Sequence, residues 1–132
     1  MVKTRLILFM IILFGLSACA EGFPEISSPV ASSGIEGNVL QGPMCPGPVR
    51  IGATDCQDQP YQTKITVLDA NNNQITQFQT DSLGYFKIPL KSGTYMLQPK
   101  PGKPLPFASD QTVVVLDGQF TQVTILYDTG IR

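Results

Sequence analysis

From Gly34 to the end of the chain no window shows a 3.6-residue apolar period, so no stretch there presents the apolar stripe of an amphipathic helix. Short runs rich in β-branched and aromatic residues recur instead, each bounded by turn residues. Strands are expected at 34–40 (GIEGNVL), 61–69 (YQTKITVLD), 74–80 (QITQFQT), 85–90 (YFKIPL), 94–99 (TYMLQP), 111–116 (QTVVVL) and 119–127 (QFTQVTILY). Within 61–69, Thr63, Ile65 and Val67 fall on one face and Gln62, Lys64 and Thr66 on the other. The Asn-rich turn 70–73 should fold that strand onto 74–80, and Asp117-Gly118 should pair the last two strands as a hairpin. The Pro-rich segment 99–107 reads as an extended connection. About seven strands without a helix predict an all-β fold, a β-sandwich of immunoglobulin-like size. The expected core is Ile35, Val39, Ile65, Val67, Phe86, Ile88, Tyr95, Leu97, Val113, Val115, Val123 and Ile125.

The run from Gly34 to Gln98 resembles the carboxypeptidase regulatory-like, or transthyretin-like, domain family. The resemblance rests on Gly37 in the opening strand, the turn Asp69–Asn73, Thr80-Asp81 followed by Gly84-Tyr85-Phe86, and Ser92-Gly93-Thr94-Tyr95-Met96-Leu97. The family core reads roughly T-D-x-x-G-x-F followed by P-G-x-Y-x-L. Here Lys91-Ser92 precede Gly93 where proline is usual, and a long loop, 42–60, is inserted. The resemblance implies a transthyretin-like sandwich that serves as a scaffold or binding module. Fold-level likeness carries little about chemistry.

The N-terminus speaks to location. Lys3 and Arg5 precede an apolar run from Leu6 to Leu16. As a helix that run would rise only about 16 Å, against a bilayer core of roughly 30 Å. This is the pattern of a signal peptide rather than of a membrane span. Leu16-Ser17-Ala18-Cys19 resembles the bacterial lipobox, which implies cleavage after residue 18 and acylation of Cys19. Two or three acyl chains anchor stably where one does not. The expected organisation is therefore a lipoprotein signal peptide (1–18), a flexible tether from lipidated Cys19 (19–33), and the β-sandwich (34–130). Ala20, rather than aspartate, follows Cys19; by analogy with lipoprotein sorting this favours the outer membrane where a cell has one, and otherwise the outer face of the cytoplasmic membrane.

Outside the cytoplasm thiols tend to be oxidised, and with Cys19 acylated only Cys45 and Cys56 remain. Zinc would need about four ligands, yet the chain has no histidine and no further cysteine. The spacing is not that of a C-x-x-C redox pair. A Cys45–Cys56 disulfide clipping loop 42–60 is the expectation, worth roughly 3 kcal/mol in the chain-entropy model. Met44, Val49, Arg50, Ile51, Asp55 and Asp58, with Tyr61 at its border, make this loop the candidate binding element.

No motif for catalysis emerges. Without histidine the commonest general base is missing, and neither a nucleophile elbow nor a phosphate-binding loop is present. Asp69-x-Asn71-x-Asn73 copies the first ligands of a calcium loop, but Gln74 and Thr80 stand where glycine and glutamate belong, so a β-turn is expected instead. Loss of Lys3 and Arg5 leaves seven basic against ten acidic residues, a formal charge of −3 that recommends no nucleic-acid surface. The expected function is a non-catalytic envelope lipoprotein, a scaffold or protein-interaction module with no catalytic residue, metal or cofactor. Its expected partners are the membrane, through the lipid, and an envelope protein. The alternative is a small-ligand or glycan-binding lipoprotein. Cells grown with labelled palmitate should yield labelled protein, and Cys19→Ala should abolish the label; an unlabelled wild-type protein would mean ordinary secretion.

Overall fold

A computed structural model describes residues 32–48 and 50–132. The expected signal peptide, Cys19 and the expected tether as far as residue 31 lie outside these residues, as does Val49. The described chain forms eight strands and no helix: β1 (Gly34–Gly42), β2 (Gln59–Pro60), β3 (Lys64–Leu68), β4 (Gln74–Gln79), β5 (Tyr85–Pro89), β6 (Gly93–Pro99), β7 (Gln111–Val115) and β8 (Phe120–Asp128). They build two four-stranded sheets. In the first, β1 pairs with β5 and β2 on one side and with β8 on the other; in the second the order is β4-β3-β6-β7.

All seven expected strands are present, and the β3–β4 hairpin closes as anticipated (Ile65 opposite Phe78). Two departures concern pairing. The expected 61–69 strand is shorter, only Lys64–Leu68 entering the second sheet, and an unexpected two-residue strand just before it, Gln59–Pro60, joins β1. The final hairpin does not form. β7 pairs with β6, while β8 crosses to the other sheet and runs parallel to β1 from Gly34↔Phe120 to Gly42↔Asp128. Burial explains this. Val113 and Val115 of β7 and Val123, Ile125 and Tyr127 of β8 are all buried, and on facing sheets they enclose the core from both sides. A hairpin would have left that side of β1 unpaired.

Ten of the twelve expected core residues are buried, while Ile88 and Tyr95 pack against the core half-buried. Leu90, Ala108 and Tyr127 join them. The fold takes hold one residue before β1. Ser33 donates its hydroxyl to the Leu90 carbonyl (2.8 Å), and its own carbonyl accepts from the Leu90 N–H.

The stretch Thr80–Phe86 carries the chain from one sheet to the other, and each residue the resemblance singled out has a task. The buried Thr80 hydroxyl accepts from the Thr63 N–H (2.9 Å) and donates to the Tyr61 carbonyl (3.1 Å). The Asp81 carboxylate accepts from the N–H groups of Leu83 and Tyr85. Gly84 has φ 71°, and an added Cβ would lie 2.2 Å from the Val39 carbonyl, so only glycine fits. Phe86 enters the core against Phe78, ring centres 5.0 Å apart.

Tyr127 is the largest wholly buried side chain. Its hydroxyl donates to the Lys100 carbonyl (2.9 Å), so the Thr63 hydroxyl, 3.1 Å away, donates to it. Burial pushes the phenol pKa up. Tyr127→Phe would strand both partners, at about 1–3 kcal/mol. The melting temperature should fall by roughly 4–8 °C for each kcal/mol lost; an unchanged melting curve would show that water replaces the hydroxyl.

Candidate functional site

Loop 42–60 is the connection between the antiparallel strands β1 and β2, closed at its neck by the pairs Leu40↔Pro60 and Gln41↔Gln59. Cys45 and Cys56 are joined, with their Cα atoms 5.2 Å apart. The Arg50 carbonyl accepts from the Ala53 N–H in a turn whose Gly52 has φ 89°. The neck is also tied to the end of the chain, where Thr129 donates its hydroxyl to the Pro43 carbonyl and its N–H to that of Gly42.

The candidate residues separate into three groups. Arg50 and Asp55 are exposed, and Ile51 is wholly exposed with no apolar cover. Met44 is half-buried near the neck, and Asp58 lies against Gly42, beside a depression of about 380 Å³ shared with Leu126, Asp128 and Arg132. Tyr61 belongs elsewhere. It packs against Tyr127 (ring centres 4.8 Å apart) and faces a different groove.

That groove was not singled out from sequence. It runs along the outer face of β4-β3-β6 beneath the 99–110 connection, with a volume of about 500 Å³ and a flanking hollow of about 270 Å³. Lys64 and Lys100 line both parts. A signal for it exists in the outward positions of the alternating strands (Gln62, Lys64 and Thr66; Gln77 and Gln79; Gln98 and Lys100). Only the register shows that these positions adjoin.

The clustered acids are committed to structure. Asp69 accepts from the N–H groups of Asn71 and Asn73 and from the Asn73 side chain, bonds to Asn73 that hold its carboxyl below the usual range. On the outer face of the first sheet, Glu36 receives Lys87 (2.8 Å), Gln122 and Tyr85, and the Lys87 bond chiefly lowers its pKa. Lys87 in turn sits 4.2 Å from the centre of the Phe120 ring.

No protein-family model matches the chain, and neither does any curated protein. Among solved structures, the minor pilin GBS52 of Streptococcus agalactiae matches with a TM-score of 0.55 at 15% identity, over 76% of this chain and 46% of the pilin. The TIE protein of Bacillus anthracis matches with a TM-score of 0.45 at 13% identity, over 74% of this chain and 17% of its own. The chain thus spans less than half of the pilin's length. The pilin likeness shows a shared β-sandwich fold.

Asp128, at the loop neck, is paired twice with Arg132 (2.7 and 3.0 Å) and accepts from the Gly130 N–H. The Arg132 bonds lower its pKa to about 2. The stabilisation is therefore present above the unfolded value near pH 4 and is lost as pH falls through about 2. Urea midpoints measured from pH 5 to pH 2 should fall less steeply in Asp128→Asn than in the unchanged protein; parallel curves would remove this pair from the acid response.

Proposed function

We propose that the chain is a non-catalytic envelope lipoprotein whose disulfide-held loop is the contact surface for a protein partner. One observation carries the reading. Ile51 stands wholly exposed beside Arg50 at the turn of a loop that a disulfide and a strand pair hold closed. A bare aliphatic side chain on a pre-ordered loop gains by burial against a partner, and much of the ordering cost is met beforehand. The neighbouring arginine adds a side-chain type enriched at interface centres. The lipobox-like Leu16–Cys19 supports anchoring outside the cytoplasm, and the disulfide suits that setting. The fold shared with a minor pilin supports a surface role. The transthyretin-like resemblance supports a module rather than an enzyme.

A photo-crosslinking residue at Arg50, with Cys19 intact, should capture one recurrent protein in living cells. Capture should drop in the Cys45→Ala, Cys56→Ala double variant, where the loop is no longer pre-ordered. Capture no higher than at Thr124, an exposed position on β8, would reduce the loop to a cover over the end of the sandwich.

A further inference from the structure

Directly opposed residues of antiparallel strands share a face, so the outer side of β4-β3-β6 is organised in rows. Gln77, Thr66 and Gln98 form one row, and Gln79 lies opposite Lys64 in the next. The Lys100 N–H donates to the Lys64 carbonyl (2.9 Å), extending the β3–β6 register by one pair and placing Lys100 opposite Lys64. Two lysines thus stand side by side across adjacent strands, an arrangement that destabilises the sheet through like-charge repulsion. Neither makes an ion pair among the described residues. Asp110, the one carboxylate of the lining, lies 3.4 Å from the Gln98 amide.

The rest of the lining narrows the chemistry. Gln62 and Gln79 offer amides that both donate and accept, matching hydroxyl groups, which do the same; Gln77 and Gln98, whose amide nitrogens already donate to Thr66 and Asp110, add carbonyl oxygens that accept. Phe107 is 48% exposed and offers an apolar surface to one face of a sugar ring. A peptide is a poorer fit. Strand addition would take place in the plane of the sheet, at the free edge of β4, whereas the groove lies over the outer face, where β3 and β6 are interior strands with both neighbours in place.

We propose that this groove binds an acidic polysaccharide. Lys64 and Lys100 receive its carboxylates, the glutamines its hydroxyls, and Phe107 one ring face. An anion across the lysine pair cancels the repulsion, so the charge arrangement that weakens the free sheet favours the bound one. This site is separate from the loop tip and does not depend on it.

The test uses the full-length, detergent-solubilised protein titrated with hexameric oligogalacturonate, its methyl-ester form, a neutral maltohexaose and hexaglutamate. Oligogalacturonate should bind, with affinity falling as salt is raised. Lys64→Gln and Lys100→Gln should each weaken it about tenfold, in line with charge-assisted hydrogen bonds. Both variants should melt no lower than the unchanged protein, because a repulsion has been removed, which shows that the loss is not misfolding. Phe107→Ala should weaken binding without altering the salt dependence. Absence of oligogalacturonate binding, or equal binding of the ester, of maltohexaose or of hexaglutamate, would overturn the proposal.

Discussion

The buried hydroxyl chain at one end of the sandwich is the constraint on which the rest depends. Tyr127 on β8 donates to the carbonyl of Lys100, just past β6, and accepts from Thr63, just ahead of β3; Thr80, just past β4, closes over the Thr63 N–H and the Tyr61 carbonyl. Four chain segments from both sheets meet there. Among the described residues no buried side-chain polar atom lacks a partner. Such a network stabilises only when complete, since one missing member leaves the others desolvated and unpaired. It therefore specifies one arrangement of strand ends rather than several of similar apolar content.

Both candidate surfaces gather at this end. Lys100, whose carbonyl Tyr127 holds, places its side chain in the groove, and Tyr61 packs on Tyr127 while facing the hollow beside it. One residue beyond Tyr127, Asp128 pairs with Arg132 at the loop neck and exchanges two backbone hydrogen bonds with Phe107 of the groove. The two surfaces differ in character. The loop is covalently closed and sets a bare isoleucine beside an arginine at its turn; the groove is lined by glutamines and holds a like-charge pair.

Much of the fold was legible in the chain. Alternation located every strand of the core, because a half-buried strand must put apolar residues at every second position. Thr80, Asp81, Gly84 and Phe86 could be recognised together because the resemblance carries them as one motif; Asp81 and Gly84 meet local turn demands, while Thr80 and Phe86 act on partners in other segments. Tyr127 escaped notice because its role depends on partners 27 and 64 residues away. The lysine pair escaped for the same reason, since alternation shows Lys64 and Lys100 facing outward but not facing each other.

The final strands show where local reading ends. Asp117-Gly118 turns the chain, and Gly118 takes φ 76°, as a hairpin reading expects. A turn does not choose the sheet that the next strand joins. That choice went to the core: β8 buries Val123, Ile125 and Tyr127 opposite the second sheet only by crossing to β1. By itself the sequence determined strand identity, buried faces and turn positions, because these follow from the residue types and the backbone they allow. Only tertiary structure decided the pairing of first strand with last, the grouping of lysines and glutamines into a groove, and the separation of Tyr61 from the loop. Each of these rests on contacts between residues distant in the chain, which no local pattern encodes.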